Sequence, residues 1–350
     1  MMLVGIMAAV LWGVGMAMGA PVRARLIMIG ILLTGVMIIQ VLLPDGHPLR
    51  AATGGDPRLW ILLFAGLGLA WLYREGLCWL RARARPAPEV AEAARTGTFS
   101  ETELDRYARH IVLREIGGPG QKALKQAKVL VVGAGGLGAP ALQYLAAAGV
   151  GTIGVIDHDT VDNSNLARQV IHTDARIGDP KVFSAKAAML AQNPFVTVNP
   201  YHRRLTEEIA AELFSDYDLI LDGTDNFATR YLVNRTAAQL GKPLIAGALT
   251  QWEGQLSLYD PARNAPCYEC VFPEVPDPSL VPTCAEAGVL SPLTGVIGSM
   301  MAVEAIKHLA RAGETLAGRM MIYDALYADT RIIKIRRRAD CAACGGGSTG

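Results

Sequence analysis

Polar and charged side chains that could handle a phosphate group occur in three short segments of this chain. The segments are DHDTVDNSNLARQ (157–169), GDPK (178–181) and LDGTDN (221–226). Basic side chains suit attack on a phosphate because they hold negative charge in place as pyrophosphate leaves, and a carboxylate can hold Mg²⁺. Hydride transfer needs no such cationic groups. The candidate nucleotide-binding and catalytic residues are Asp157, Asp159, Asn163, Asn165, Arg168, Gln169, Lys181, Asp225 and Asn226.

A glycine-rich turn precedes these segments, in VLVVGAGGLGAP (129–140). Gly133, Gly135 and Gly138 have the G-x-G-x-x-G spacing, which permits a tight turn and lets the backbone approach a pyrophosphate at a helix N-terminus. Gly136 adds a further glycine, and Asp157 stands where a ribose partner is expected. The turn alone fits NAD(P), FAD and ATP, or a purely structural role. The basic residues that follow it favour ATP.

Alternating strand and helix patterns position these residues. Val-, Ile- and Leu-rich runs predict strands, and the segments between them predict helices. We therefore expect a Rossmann-like α/β fold with a doubly wound, mostly parallel sheet. The predicted strands are 128–132, 152–157, 218–222, 243–248, 255–259, 320–323 and 330–336, and the predicted helices are 101–116, 137–148, 181–192, 227–240 and 293–312.

The first 80 residues differ from the rest of the chain. Residues 2–20 and 26–43 carry no charge, and a third apolar run spans 59–73. Their lengths predict an N-terminal transmembrane region, with three spans favoured over two spans and an interfacial helix, or over a buried core hairpin. Basic residues in 21–25 and 74–85 place the catalytic domain on the cytoplasmic side, in a multi-pass protein of the inner (cytoplasmic) membrane.

The remaining segments complete the predicted organisation. Residues 1–80 are the membrane region, 81–100 a linker, 101–345 one globular domain and 346–350 a flexible tail. The net charge of +1 gives no reason to expect a nucleic-acid partner. The histidines lack ligand spacing and are interpreted as structural or surface residues.

Two C-x-x-C pairs indicate a structural zinc site. Cys267 with Cys270 and Cys341 with Cys344 could form a closed Cys₄ site. The gap of about 70 residues is longer than in the usual zinc finger, so the spacing favours zinc without establishing it. Cys284 stands alone, as a loop thiol that is either unessential or reactive.

The segment 100–345 resembles the MoeB/ThiF family, relatives of the ubiquitin-activating enzymes. Residues 1–90 lie outside the resemblance, and family members are usually soluble. The matching stretches are RYARHIVLREIGGPGQKAL, VLVVGAGGLGAPALQYLAAAGVG, IDHDTVDNSNLARQVIH, GDPKVFSA, LDGTDNFATR, EGQLSLY, CYEC, TCAEAGVLSPLTGVIGSMMAVEAIK and CAAC.

The resemblance implies ATP- and Mg²⁺-dependent adenylation of the C-terminal glycine of a ubiquitin-like sulfur carrier that ends in Gly-Gly. It implies that the glycine turn lies against the nucleotide, that Asp157 binds the ribose, and that Asn165, Arg168 and Lys181 bind phosphates. Asp225 would position Mg²⁺. Gly136 would leave room for the carrier's tail. The four paired cysteines would hold structural zinc.

The resemblance also implies a homodimer, in which Arg109 reaches the ATP of the partner subunit, and in some relatives a covalent link between the carrier and a cysteine at the position of Cys284. The stretch TCAEAGVLSP is closer to the branch that serves molybdopterin synthase, in molybdenum cofactor biosynthesis, than to the thiazole branch. A thiazole-pathway carrier remains the first alternative. An NAD(P)- or FAD-dependent oxidoreductase and a non-catalytic membrane adaptor remain the others.

Overall fold

The chain forms two compact units, Met1–Glu89 and Val90–Gly350. The structure is a computed structural model, and it describes residues 2–54, 56–84, 98–275 and 287–345. Most of the predicted linker, the tail 346–350 and Cys284 lie outside the described residues.

The N-terminal unit is helical. Its helices are α1 (Met2–Ala17), α2 (Val22–Leu42), α3 (Pro48–Thr53) and α4 (Pro57–Ala84). A small buried cluster of Val4, Val36 and Trp60 holds it together, while most of its large apolar side chains are exposed. Among the described residues, α2 is the one helix whose length and composition would allow it to cross a membrane, and α1 is apolar but shorter. The three-span membrane region therefore stays a prediction.

The second unit begins with a well-capped helix, α5 (Glu101–Ile111). The Ser100 side chain accepts the Glu103 N–H, and the Glu103 carboxylate accepts the Ser100 N–H, which is a capping box. The predicted helix 101–116 was too long. It ends at Ile111, and α6 (Gly117–Gln126) starts at a glycine whose φ of +57° breaks the regular backbone.

An eight-stranded sheet forms the centre of this unit. The strand order is β3-β2-β1-β4-β5-β6-β7-β8. The strands β1 to β5 pair in parallel, and β6 to β8 continue the sheet as antiparallel neighbours. Their bounds are β1 (Lys128–Val132), β2 (Thr152–Asp157), β3 (Thr197–His202), β4 (Leu219–Asp222), β5 (Leu244–Leu249), β6 (Glu253–Tyr259), β7 (Arg319–Asp324) and β8 (Asp329–Lys334).

Helices cover both faces of the sheet, as expected for a doubly wound fold. Alternate β1 residues show this directly, since Val129 and Val131 belong to one buried cluster while Leu130 and Val132 belong to another. The bounds of the remaining helices are α7 (Gly138–Ala147), α8 (Lys181–Gln192), α9 (Glu207–Ser215), α10 (Phe227–Gln239), α11 (Tyr268–Val271) and α12 (Ser291–Ala310).

The strand order reverses between β1 and β4, which lie side by side although β2 and β3 intervene in sequence. A chain that winds outward in both directions from such a pair leaves a crevice at the carboxyl ends of the strands, where doubly wound folds bind ligands. The carboxyl ends of β1, β2 and β4 carry the glycine turn, Asp157 and the LDGTDN segment. The topology therefore brings three separate sequence segments to one edge of the sheet.

Candidate active site

A cleft of about 880 Å³ opens at this edge. Eleven of the predicted site residues line it, and Gly138 lies just behind, as the first residue of α7. Arg109 and Asn163 do not line it. The predicted residues in the wall of the cleft are Gly133, Gly135, Gly136, Asp157, Asp159, Asn165, Arg168, Gln169, Lys181, Asp225 and Asn226.

The glycines of the turn are required for different structural reasons, or leave space in the cleft. Gly133 has a φ of +93°, a conformation that favours glycine. A Cβ atom on Gly138 would stand 1.9 Å from the Gly133 carbonyl oxygen, so α7 could not approach the turn. A Cβ on Gly136 would stand 3.0 Å from the Thr294 side chain on α12. Gly135 has only an ordinary contact at 3.7 Å, with Gln169, so its Cα leaves open space in the cleft.

The Asp157 carboxylate is anchored to the turn. One of its oxygens accepts the Ala134 N–H at 2.8 Å, and the other accepts the Asp159 N–H at 2.9 Å. Each carboxylate oxygen keeps a second lone pair for a hydroxyl donor. The arrangement suits the predicted ribose contact, since it fixes the carboxylate relative to the glycine turn.

Lys181 is buried at the base of α8, and its ammonium donates to Asp159 at 2.8 Å. Burial alone would raise the pKa of Asp159, but the hydrogen bond and charge of Lys181 outweigh it and the pKa is lowered. Asp159 is therefore ionised at neutral pH and holds the lysine in place. The ammonium has further donors for a phosphate oxygen.

Asn165, Arg168 and Gln169 share one turn of chain beside the glycine turn. The Asn165 side-chain oxygen accepts from Gln169 at 2.9 Å, and Arg168 donates to the Ser164 carbonyl at 3.0 Å. The Gln169 side-chain oxygen is buried with no hydrogen-bond partner among the described residues. A bound molecule with a donor group would satisfy it.

The segment after β4 presents Asp225 to the cleft. Asp225 is exposed, and no hydrogen bond or ion pair holds its carboxylate within the described part of the chain. A free carboxylate oxygen is a suitable ligand for Mg²⁺. Asn226 also has a local role, because its side-chain oxygen accepts the Thr229 N–H and caps α10.

Sequence reasoning missed two supporting residues. His172 is buried, with one ring nitrogen 3.0 Å from the Ala134 carbonyl and the other 2.9 Å from the Ser184 hydroxyl. Burial lowers the pKa of His172, so the neutral ring holds the glycine turn. Arg230 is buried beneath the Asp225 segment. Both stand in segments that resemble the family, but their spacing alone carries no signal of contact.

The four paired cysteines form a cluster that could hold a metal ion. The Sγ atoms of the four paired cysteines all lie within 4.8 Å of one another. Neighbouring pairs are 3.8, 3.5 and 3.4 Å apart, close to the separation of about 3.8 Å expected for tetrahedral sulfur ligands around zinc. The Arg338 N–H and the Asn234 amide point at Sγ atoms, as outer hydrogen bonds to metal thiolates do. The cluster could hold zinc and fasten the segment after β8 to α11.

Cys284 and Arg109 remain outside this geometry. Cys284 lies outside the described residues. Arg109 is exposed on α5, so its predicted contact with the ATP of a partner subunit stays a prediction.

The fold and the cleft together define a nucleotide-binding enzyme of the doubly wound α/β class. The ThiF family model matches residues 107–343. The chain belongs to the ThiF family, whose members include the MoeB-type and ubiquitin-activating-enzyme-like adenylyltransferases, and it is an adenylyltransferase. This membership removes the hydride-transfer alternative.

Several proteins of the same kind are similar in sequence to this chain. The Thermus thermophilus protein named sulfur carrier protein adenylyltransferase is 49% identical over 251 residues, 71% of this chain and 93% of that protein. Mycobacterium tuberculosis MoeZ, named a probable adenylyltransferase/sulfurtransferase, is 50% identical over 71% of this chain, which spans 64% of its length. The Haloferax volcanii SAMP-activating enzyme E1 is 46% identical over 72% of this chain and 93% of its own length.

Solved structures show the same fold. Escherichia coli MccB with AMPCPP and MccA has a TM-score of 0.63 at 23% identity, over 71% of this chain and 75% of that one. PaaA has a TM-score of 0.61 at 22% identity, over 84% and 91% of the two chains. At these identities the likeness concerns the architecture.

Proposed function

We propose that the chain adenylates the C-terminal glycine carboxylate of a ubiquitin-like sulfur carrier ending in Gly-Gly, with ATP as the adenylyl donor. The carrier we favour is the small subunit of molybdopterin synthase, in molybdenum cofactor biosynthesis. One observation carries the proposal: a single cleft at the carboxyl edge of the sheet gathers the glycine turn, the anchored Asp157, the basic residues Arg168 and Lys181, and the exposed carboxylate of Asp225.

The reaction forms one bond and breaks one. A carboxylate oxygen of the carrier attacks the α-phosphorus of ATP, the bond between that phosphorus and the bridging oxygen to the β-phosphate breaks, and pyrophosphate leaves with the electron pair. The products are an acyl-adenylate on the carrier and pyrophosphate. Arg168 and Lys181 would hold the negative charge that moves onto the leaving group.

Mg²⁺ would neutralise phosphate charge and orient the leaving group when bound. The free oxygen of Asp225 fits this cation, because Mg²⁺ is usually bound through one or two carboxylates together with substrate phosphates. Asp157 would orient the nucleotide through the ribose. Gln169, with its unpartnered oxygen, would accept a donor from the bound substrates.

Homodimerisation and membrane attachment belong to the same proposal. Arg109 is exposed on α5 and outside the cleft of its own chain, so it is free to reach the cleft of a second copy. The exposed apolar side chains of α1, α2 and α4 support attachment to the cytoplasmic membrane, with the catalytic unit on the cytoplasmic side. Recovery of the chain in the membrane pellet after alkaline carbonate extraction supports this, and its release contradicts it.

ATP–pyrophosphate exchange tests the activity. Full-length protein in lipid nanodiscs should exchange labelled pyrophosphate into ATP only when a carrier ending in Gly-Gly is present. Comparing molybdopterin-type and thiazole-type carriers separates the two pathway assignments. Exchange in the absence of a carrier contradicts the proposal. A lack of exchange with every carrier tested contradicts it as well.

Asp225→Asn should remove at least about 99% of the exchange rate, as expected when a required metal ligand is lost. Asp216→Asn is the matched control, because Asp216 is exposed at the end of α9 and does not line the cleft. Full activity in Asp225→Asn would refute the metal assignment.

A further inference from the structure

Thr224, the residue before Asp225, is held by three hydrogen bonds. The Asp222 carboxylate accepts the Thr224 N–H at 2.9 Å and the Thr224 hydroxyl at 2.6 Å. The Arg230 guanidinium donates to the Thr224 carbonyl. The direction in which the chain leaves Thr224 is therefore fixed on both sides of its backbone. Asp225 itself has no hydrogen-bond partner among the described residues, so the contacts of Thr224 are what hold the adjoining backbone in place.

Arg230 connects the Asp225 segment to the next strand. The same guanidinium nitrogen that donates to Thr224 also donates to the Gly247 carbonyl of β5, at 2.6 Å. The side chain is buried, 7% exposed, and no ion pair to it occurs in the part of the chain that the structure describes. A buried arginine that has no acidic partner among the described residues is costly, and here the Thr224 and Gly247 carbonyls accept its hydrogen bonds at the cleft wall.

The Asp225 segment also touches the glycine turn. A Cβ on Gly223 would stand 3.0 Å from the Gly138 nitrogen, and a Cβ on Gly133 would stand 3.3 Å from the Gly223 carbonyl oxygen. The two loops are thus in direct contact across the strand pair β1 and β4. A shift of the Asp225 segment would therefore displace the glycine turn, which faces the nucleotide in the proposed complex.

We propose that Thr224 and Arg230 are positioning residues that hold the Asp225 carboxylate at the divalent-cation site of the nucleotide complex. The proposal rests on the proposed function for the identity of the nucleotide and the cation. Mg²⁺ demands near-ideal geometry, with oxygens at about 2.0–2.1 Å, so a carboxylate on an exposed loop needs a rigid support. The Asp222 carboxylate at the end of β4, which accepts from Thr224, and the Arg230 guanidinium of α10, which donates to Thr224, supply that support.

Binding of Mn²⁺, used as the spectroscopic substitute for Mg²⁺, tests this without any carrier. Electron paramagnetic resonance of full-length protein with a non-hydrolysable ATP analogue measures the Mn²⁺ affinity. Arg230→Lys and Thr224→Val should each weaken it about tenfold or more, in the same direction as Asp225→Asn, since losing an outer-shell partner costs about 10- to 100-fold. Thr224→Ser keeps the hydroxyl and should restore wild-type affinity.

Two controls separate positioning from general damage. Arg235→Lys makes the same change on α10 at a half-exposed arginine paired with Glu269, outside the cleft, and should leave the Mn²⁺ affinity unchanged. Binding of the analogue without divalent cation should stay within about twofold in Thr224→Val, because the nucleotide contacts remain. If Arg230→Lys does not fold, the Mn²⁺ affinities of Thr224→Val and Thr224→Ser test the proposal instead.

Wild-type Mn²⁺ affinity in Thr224→Val overturns the proposal. The proposal also fails if Thr224→Val loses as much affinity for the analogue without the cation as it loses for Mn²⁺. The proposed function fails separately. If no carrier supports exchange in wild-type protein while the Mn²⁺ pattern holds, the positioning stands and the carrier assignment falls. If carriers support exchange and the variants bind Mn²⁺ normally, the positioning falls alone.

Discussion

In the proposed function, Lys181 would serve both the fold and the substrate. Its ammonium is buried at the start of α8 and paired with Asp159, which itself is half-exposed. A buried charge needs a partner at all times, so Asp159 holds the ammonium before the nucleotide arrives. A phosphate can then use the remaining donors without the cost of ordering the lysine.

Lys181→Met should therefore raise the Kd for ATP about tenfold or more, because a hydrogen bond to a charged group contributes about 1.5–3 kcal/mol. Titration calorimetry on the full chain measures this. Lys186→Met, on the same helix but outside the cleft, is the control and should bind ATP normally. Equal ATP affinity in Lys181→Met and wild-type protein would remove Lys181 from the binding site.

Asp157 and Asp225 differ in the hydrogen bonds that their carboxylates make. Both are carboxylates at strand ends, but Asp157 is anchored by two backbone N–H groups, while no hydrogen bond to the Asp225 carboxylate occurs among the described residues. An anchored acid suits orientation of a neutral ribose, and a free one suits a cation. The sequence motif predicts both positions, yet only the hydrogen bonds distinguish the two proposed roles.

The glycine turn is the element whose geometry is most restrictive. Gly138→Ala places a methyl group 1.9 Å from the Gly133 carbonyl, so we expect a poorly folded protein that loses ATP binding. Gly135→Ala meets only an ordinary contact, and we expect it to fold normally while its methyl group occupies cleft space and weakens ATP binding. Thermal unfolding and ATP titration of the two variants check this; equal melting temperatures for both would contradict it.

Helix α5 gives a prediction about pH. Burial alone would raise the pKa of Glu103, but hydrogen bonds and charge from Lys125 and Ser100 outweigh it and lower the pKa from 4.5. A lowered folded-state pKa means that the ionised form stabilises the fold above about pH 4.5, and that this contribution is lost as pH falls through the folded pKa.

Glu103→Gln should accordingly lower the melting temperature at pH 7, and the difference from wild-type protein should shrink as the pH falls below 4.5. Glu101→Gln, at an exposed position in the same first turn, is the control. A difference that stays constant over this pH range would show that the charge of Glu103 is not what matters.

Much of the element pattern follows from sequence, for identifiable reasons. The strands β1, β2 and β4 are short apolar runs that end in polar motifs, so both their positions and their carboxyl ends were predictable. Strand β3 was missed, because TVNPYH contains a proline and polar residues that resemble a loop, and helix α9 after it was missed as well. The sheet context overrides these local preferences.

Side-chain contacts at the site were less predictable than its position. The motifs indicated which residues meet at the carboxyl edge, since parallel strands bring their ends together. They gave no sign that Arg230 joins the β4 and β5 ends, or that His172 supports the glycine turn. Such contacts depend on which residues of α10 and of the loop before α8 point inward, and that is set by packing.

On the scale of the whole molecule, the cysteine cluster connects distant parts of the chain. Cys267 and Cys270 belong to the start of α11, while Cys341 and Cys344 follow β8. A metal bound there would close a long loop and constrain the unfolded chain, and it would contribute to the free energy of folding.

Cys267→Ser/Cys344→Ser should reduce the zinc content of purified protein to near zero and lower the free energy of unfolding. Elemental analysis and denaturant titration measure these. The four cysteines do not line the nucleotide cleft, although Tyr268 of α11 does, so ATP binding should persist wherever the variant keeps α11 folded. Full zinc content in the double variant would contradict the assignment.

The family match, residues 107–343, lies within the second of the two units. The catalytic unit matches nearly the full length of the Thermus relative, whereas the helical unit precedes the family match. The membrane helices of our proposal would keep adenylation at the cytoplasmic face of the membrane.

Transfer of label from ATP to the carrier tests directly whether this chain adenylates the carrier. Full-length protein in nanodiscs is incubated with a Gly-Gly carrier and with ATP labelled at either the α- or the γ-phosphate, and the carrier is then isolated in acid. We predict α-label on the carrier and γ-label only in pyrophosphate, with neither found on a carrier that lacks its final glycine. A carrier without α-label, or one that acquires γ-label, would contradict adenylation by this chain.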